Sequence, residues 1–158
     1  MSMTGPAEPE AGDALVLIQL SGLVQETFAR VAGRHDLTPV QGRMLCVLAR
    51  KPHGMAELAR VFGVGKANLT GLIDRAEARG LVARSLVPSD RRAIQVLLTA
   101  AGRRAASAFH REVTTELAAY LDPLGPGERS AFRAAAATVA GAAGHCAAWD
   151  PGRVDAGS

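Results

Sequence analysis

Four histidines (His35, His53, His110, His145) and two cysteines (Cys46, Cys146) are the side chains here best suited to nucleophilic, acid–base or metal chemistry. They are scattered along 158 residues. No Ser/His/Asp order, no CxxC or His/Glu metal spacing and no phosphate-cradling glycine loop after a strand accompanies them. The pattern points away from an enzyme, and no metal or other cofactor is expected. Two isolated cysteines are too few for a disulfide framework. No apolar run approaches the ~20 residues that span a bilayer, and the acidic, Pro/Gly-rich start does not resemble a leader peptide. These features lead to the expectation of a cytoplasmic protein that does not enter the membrane.

Charge directs attention to a different chemistry. Between Arg50 and Arg111 stand twelve Lys or Arg against four acids, a local excess of eight positive charges on a chain whose net charge is +3. The rest of the chain is therefore net acidic by five. A cationic surface on an acidic body is the electrostatic footprint of a polyanionic partner, although a solvated basic face would have the same composition. Two clusters within the basic stretch carry groups that can read such a partner. Lys66-Ala67-Asn68-Leu69-Thr70-Gly71 combines small residues with Asn and Thr, and Asp90-Arg91-Arg92 places two adjacent arginines after Pro88-Ser89.

Those clusters must be held by defined elements. A hydrophobic content of 48% suits one compact unit. Apolar residues at Leu20, Leu23, Val24, Phe28 and Val31 predict a first helix over about Leu15 to His35. Thr38-Pro39-Val40-Gln41 opens a second: Thr38 caps, Pro39 fits the first turn and Gln41 completes a capping box. Its apolar face would be Val40, Met44, Val47 and Leu48. Two short helices follow across Gly63-Val64-Gly65, the first burying Met55, Leu58, Ala59 and Phe62, the second Leu69, Leu72, Ile73 and Ala76. This is a helix-turn-helix pattern. The second helix leaves Ala67, Gly71, Asp74 and Ala78 outermost, with Asn68, Thr70 and Arg75 on the flanks. Small residues let a helix enter the major groove deeply, and Asn and Thr hydrogen-bond base edges, though an ordinary surface helix would also carry them. Gly80 ends the helix. Leu81 to Val87 then pairs with Ala93 to Thr99, with Ile94, Val96 and Leu98 alternating inward. A hairpin with a basic tip after such a helix is a wing, and turn chemistry explains Pro88, Ser89 and Asp90 but not two arginines.

In order and spacing these segments resemble the multiple-antibiotic-resistance-regulator (MarR) family over roughly residues 15 to 146. The resemblance is carried by Leu37-Thr38-Pro39-Val40-Gln41, Ala56-Glu57-Leu58-Ala59, and Lys66 through Arg75. It continues in Gly80-Leu81-Val82-Ala83-Arg84, Asp90-Arg91-Arg92 and Leu98-Thr99-Ala100-Ala101-Gly102. It implies a mainly α fold with a small β-hairpin wing: a winged helix-turn-helix over residues 37–99, dimerisation helices over 13–36 and 100–146, and disordered tails at 1–12 and 147–158. By the same resemblance Ala67, Asn68, Thr70 and Gly71 lie in the major groove. Arg92 enters the minor groove, oriented by a charge-assisted hydrogen bond that it donates to Asp90. Lys66, Arg75, Arg84 and Arg91 read as phosphate contacts or structural ion pairs. Gly65 stands where the family often has a capping Ser, and Ala76 where a larger apolar residue is common.

Thr99 caps a fifth helix with apolar positions Ala106, Phe109, Val113, Leu117, Tyr120, Leu121 and Leu124. A sixth opens at Pro126 and carries Phe132, Ala135, Val139, Ala142 and Cys146. A domain this thin cannot bury all these faces, so a homodimer on a pseudo-palindromic operator in double-stranded DNA is expected, with an intramolecular bundle as the alternative. The family resemblance further implies a repressor released by a small aromatic or amphipathic ligand in a crevice lined by Leu17, Leu20, Phe28, His35, Met44 and Phe109; the same residues also suit the core. Alternatives are a winged-helix protein-interaction module without specific DNA binding, or a redox-responsive regulator acting through Cys46, or a metal-responsive one.

Overall fold

The computed structural model describes residues 11–143. The tail expected over residues 1–12 lies outside the described residues except at Ala11 and Gly12, which open the first helix; His145, Cys146 and the expected tail at 147–158 lie outside them altogether. Six helices and three strands follow in the order α1 (Ala11–Arg34), α2 (Pro39–Leu48), β1 (His53–Gly54), α3 (Met55–Phe62), α4 (Lys66–Ala78), β2 (Val82–Val87), β3 (Asp90–Leu98), α5 (Ala100–Ala119) and α6 (Pro126–Ala142).

α2 starts where its residues require. The Thr38 hydroxyl accepts the Gln41 N–H at 3.1 Å and Gln41 Oε1 accepts the Thr38 N–H at 3.1 Å, so each satisfies a donor the helix cannot. Met44, Leu45 and Leu48 then enter the core, where they meet Val31 of α1, Leu58 of α3, Leu69 and Ile73 of α4, Val96 and Leu98 of β3, and Phe109 and Val113 of α5. Each fully buried aliphatic side chain of this kind contributes roughly 1.5–3 kcal/mol. Val40, expected on the apolar face of α2, is instead 39% exposed because it faces away from the core on the helix's first turn.

The wing pairs as predicted. Val82 lies opposite Leu98 and Leu86 opposite Ile94, and a shift of register after Leu86 brings Val87 opposite Asp90. Val96 and Leu98 are buried, but Ile94 is 48% exposed. The inward alternation stops there because the outer part of the hairpin projects beyond the core. Sequence patterning also missed β1, whose two residues pair with β3 at His53↔Val96 and Gly54↔Gln95 to give a sheet ordered β1-β3-β2. His53 is buried there with Nδ1 2.9 Å from the Lys51 carbonyl; that oxygen can only accept, so Nδ1 carries the proton.

α1 departs from expectation in another way. By length and composition it is long and apolar enough to cross a membrane, although no unbroken apolar run was evident in its residues. Gln19, Ser21 and Gln25 interrupt the apolar positions, and Thr27, Val31 and Ala32 are buried against the rest of the fold. Its first half, with Leu15, Val16, Leu17 and Ile18, is exposed in the single chain. α6 likewise contains no buried residue, and Phe132 and Val139 face outward.

Candidate nucleic-acid interface

Gly63, at φ 63°, ends α3 in the left-handed conformation that glycine adopts without strain, and α4 opens two residues beyond it at Gly65. Leu69, Ile73 and Ala76 anchor α4 to the core. Its opposite face is thereby turned outward with Lys66, Ala67 and Asn68 exposed at the N-terminal end. No side chain caps that end. Among the described residues the side chains of Lys66, Asn68 and Arg75 have no hydrogen bond or ion pair, so their donors remain available. Thr70 is half-buried, and its hydroxyl donates to the Lys66 carbonyl at 2.9 Å, leaving the oxygen able to accept only. Arg75 lies back along the helix: its Nη1 is 3.4 Å from where a Cβ on Gly71 would stand.

Arg91 and Arg92 are exposed at the wing tip and are likewise unpaired among the described residues. Asp90 does organise this turn, but not through a guanidinium contact. Its Oδ1 accepts the backbone N–H of Arg92 at 3.0 Å, which shapes the chain and leaves the Arg92 side chain free to extend.

Arg84 resolves differently from these. Its guanidinium binds Asp74 at 2.6 Å and also Glu77, and its backbone N–H donates to Glu77 Oε1 at 3.2 Å. These bonds raise its pKa, chiefly through the hydrogen bond to Asp74. Of the two roles open to it in the sequence, the bonds present here are those of the structural one, tying β2 to the flank of α4. Asp74, expected outermost on the helix, is the other half of that tie.

The six residues expected to line a ligand crevice do not all come together. Phe28, His35 and Phe109 do meet: Phe109 makes edge contacts with both other rings, at centroid distances of 5.6 and 6.1 Å. Met44 and Phe109 are buried core residues, while Leu17 and Leu20 sit on the exposed first half of α1. The structure instead has an open apolar groove of about 570 Å³ between α1 and α2, lined by Val24, Phe28, Ala29, Pro39, Val40 and Arg43 among others. Of the six, only Phe28 lines it. Arg43 was not foreseen. Its guanidinium lies 5.1 Å from the Phe62 ring centroid and donates to the Val61 carbonyl at 2.9 Å, joining the groove wall to the end of α3.

Sequence reasoning also missed an ionic joint between α1 and α5. Arg30 binds Glu116 at 2.8 Å, Arg34 binds Glu112 at 2.6 Å and also Glu116, and His35 Nε2 lies 2.6 Å from Glu112. The hydrogen bond from Arg30, followed by that from Arg34, holds the Glu116 carboxyl below its ordinary value. The available signal was two arginines and two glutamates, each pair spaced by four on facing helices. The redox alternative finds little support, because burial pushes the Cys46 thiol up to about 12, far from a ready thiolate. Among the described residues no group of three His, Cys, Asp or Glu is placed to hold a metal.

A two-helix turn whose second helix presents unpaired polar residues, followed by a hairpin with a basic tip, defines a winged helix-turn-helix protein. The sequence profile of the MarR family matches residues 35–93, which run from the end of α1 to the wing. A solved structure of the transcriptional repressor CouR, bound to a 23-mer DNA duplex, is 31% identical; the match covers 89% of this chain and 99% of that one, with a TM-score of 0.64. This chain belongs to the MarR family. It is 38% identical over 76 residues to the HTH-type transcriptional repressor NicR of Pseudomonas putida, covering 48% of each chain. It is 31% identical over 93 residues to the homoprotocatechuate degradative operon repressor of Escherichia coli, covering 56% of this chain and 61% of the relative. The matches thus span about half to three fifths of the length of these curated relatives.

Proposed function

We propose that this protein is a homodimeric transcriptional regulator that binds a pseudo-palindromic site in double-stranded DNA. The observation that carries the reading is the pairing of two unpartnered basic and polar surfaces in one fold: the N-terminal end of α4 and the Arg91-Arg92 wing tip. α4 enters the major groove with Asn68 and the Thr70 oxygen facing base edges and Ala67 and Gly71 allowing close approach. Arg92 reaches the adjacent minor groove, where negative potential is enhanced. Lys66, Arg75 and Arg91 bind phosphates and set the register without reading sequence. The exposed apolar faces of α1 and α6 pair across a two-fold axis, so residues 13–36 and 100–146 form the dimerisation region and 37–99 the DNA-binding region. The role is a cytoplasmic one. Repression is the direction named for CouR, NicR and the homoprotocatechuate operon repressor, and it is the direction proposed here.

A small aromatic or amphipathic ligand fits the groove between α1 and α2, whose lining is apolar except for Gln25, Glu26 and Arg43. Binding there changes DNA affinity only if the occupant prefers one spacing of the two recognition helices over another. The interaction-module alternative has no use for an unpaired arginine pair at the wing tip.

The test is selection of binding sites from random duplex DNA, followed by affinity and salt dependence on the enriched site. An inverted repeat whose affinity falls steeply with salt is expected. Arg92→Ala should weaken binding by roughly 1–3 kcal/mol, and Asn68→Ala should alter base preference at a matching position of each half-site. Enrichment of no sequence by a protein that is folded and dimeric would sink the reading in favour of the interaction module.

A further inference from the structure

Recognition helices in a dimer must be oriented relative to the dimerisation frame, and besides the shared core one polar side chain joins α4 to the corner after α1. Arg79 is the residue that ends α4. Its Nη1 donates both to the carbonyl of Asp36 and, at 3.1 Å, to Oε1 of Gln41. A guanidinium Nη has two hydrogens, so both bonds form at once. The acceptors belong to the corner between α1 and α2. Asp36 stands there with φ 54°, a left-handed conformation that non-glycine residues adopt at a cost, and Gln41 Oε1 already accepts the Thr38 N–H in the cap of α2.

We infer that Arg79 is a positioning residue for DNA binding, a bridge that locks the C-terminal end of the recognition helix to the α1–α2 corner and so fixes its angle to the dimer frame. The inference rests on the DNA-binding reading above. It separates Arg79 from the residues proposed to meet DNA: Lys66 and Asn68 stand at the opposite end of α4, and Nη1 of Arg79 is taken up by the protein itself. Lysine does not replace it in full, because its shorter stem and tetrahedral ammonium do not put two hydrogens where the planar Nη1 stands between acceptors 43 and 38 positions away in the chain. The bridge is complementary to Arg84, which ties the same helix to the wing through Asp74 and Glu77. With both in place α4 is held from two sides. Pro39 and Val40, which line the apolar groove, immediately precede Gln41, so the bridge also adjoins the groove wall.

The experiment compares full-length wild type with Arg79→Lys and Arg79→Met in two measurements. On the selected operator and on a version with one base pair inserted between half-sites, the ratio of affinities is taken across a salt series. Both variants should lose roughly tenfold of the discrimination between the two spacings, with the salt slope unchanged. A salt slope reduced by about 0.9 per protomer, about 1.8 for the dimer, with spacing discrimination intact would make Arg79 a phosphate contact and overturn the inference. In the free protein, amide hydrogen exchange should accelerate together at residues 37–41 and in the last turn of α4, while the rest of the core keeps its protection. If both regions exchange as in wild type, or if Arg79→Lys matches wild type in both measurements, the bridge is not what holds the helix. Should the wild-type protein select no site, the DNA-binding reading fails, and the exchange measurement alone decides the bridge.

Discussion

Gly102 shows how far a single residue governs the geometry between the wing and α5. A Cβ built there would lie 1.9 Å from the Leu81 carbonyl oxygen and 3.3 Å from the Leu98 side chain. The nearest atom is backbone and cannot rotate away. Gly102 also donates its N–H to Thr99 Oγ1 at 2.9 Å, closing the cap that starts α5. Thr99 in turn bonds back to the Gly80 carbonyl at the turn after α4. The segment Leu98-Thr99-Ala100-Ala101-Gly102 therefore joins three elements through one small residue. Gly102→Ala should destabilise the protein by about 3 kcal/mol, the upper end for overpacking, measured as a lower urea midpoint. An unchanged midpoint would mean that α5 can slide without cost.

Between elements, the α1–α5 joint makes stability depend on pH in a defined direction. Glu116 titrates below its ordinary value of 4.5, first because of Arg30 and then Arg34. The folded protein therefore releases a proton there more readily than the open chain. Its stabilisation is complete above pH 4.5 and is lost as pH falls through the lower native value. Urea unfolding followed across that interval should show wild type losing stability more steeply than Glu116→Gln, and the two curves should converge in acid. Parallel curves would show that the ion pairs contribute nothing measurable, as many exposed pairs do. A related device operates at the α5–α6 turn, where Arg129 donates to the Leu121 and Ala118 carbonyls and pairs with Asp122 at 2.9 Å. A cation beside the carbonyls at the end of α5 and in the turn after it is favourable both by hydrogen bonding and by the helix dipole.

At the scale of the whole molecule the unresolved account is the surface of α1 and α6. Leu15, Val16, Leu17, Ile18, Phe132 and Val139 are all exposed in the single chain, and Val139 retains 53% of its surface. Faces of this size and polarity suit a partner, and the proposed second copy related by a two-fold axis would supply one. Val139→Asp should convert the dimer to monomer in sedimentation without loss of helical circular dichroism, and should weaken operator binding because each half-site is then held alone. A dimer that survives this change would place the interface on other faces.

What the residues determined by themselves is local. The cap of α2, the turn at Gly63, the buried face of α4 and the hairpin with two arginines at its tip follow from hydrogen-bonding groups, φ preferences and periodicities that act over a few positions, and all are present in the fold. So is the family resemblance those segments carry. Only the tertiary structure decided which polar groups remain unpaired among the described residues. Arg84, Arg91 and Arg92 are the same residue type within nine positions, yet Arg84 is bound to Asp74 and Glu77 while the wing-tip pair is left open, because β2 runs past the flank of α4 and the tip does not. Arg79 with Asp36, Arg30 with Glu116 and His53 with Val96 are separated by 43 or more positions, and no short-range pattern links them. The exposure of Val40 and Ile94 was set in the same way, by where the core ends. Periodicity states which side of an element is apolar; only packing determines how much of that side another element covers.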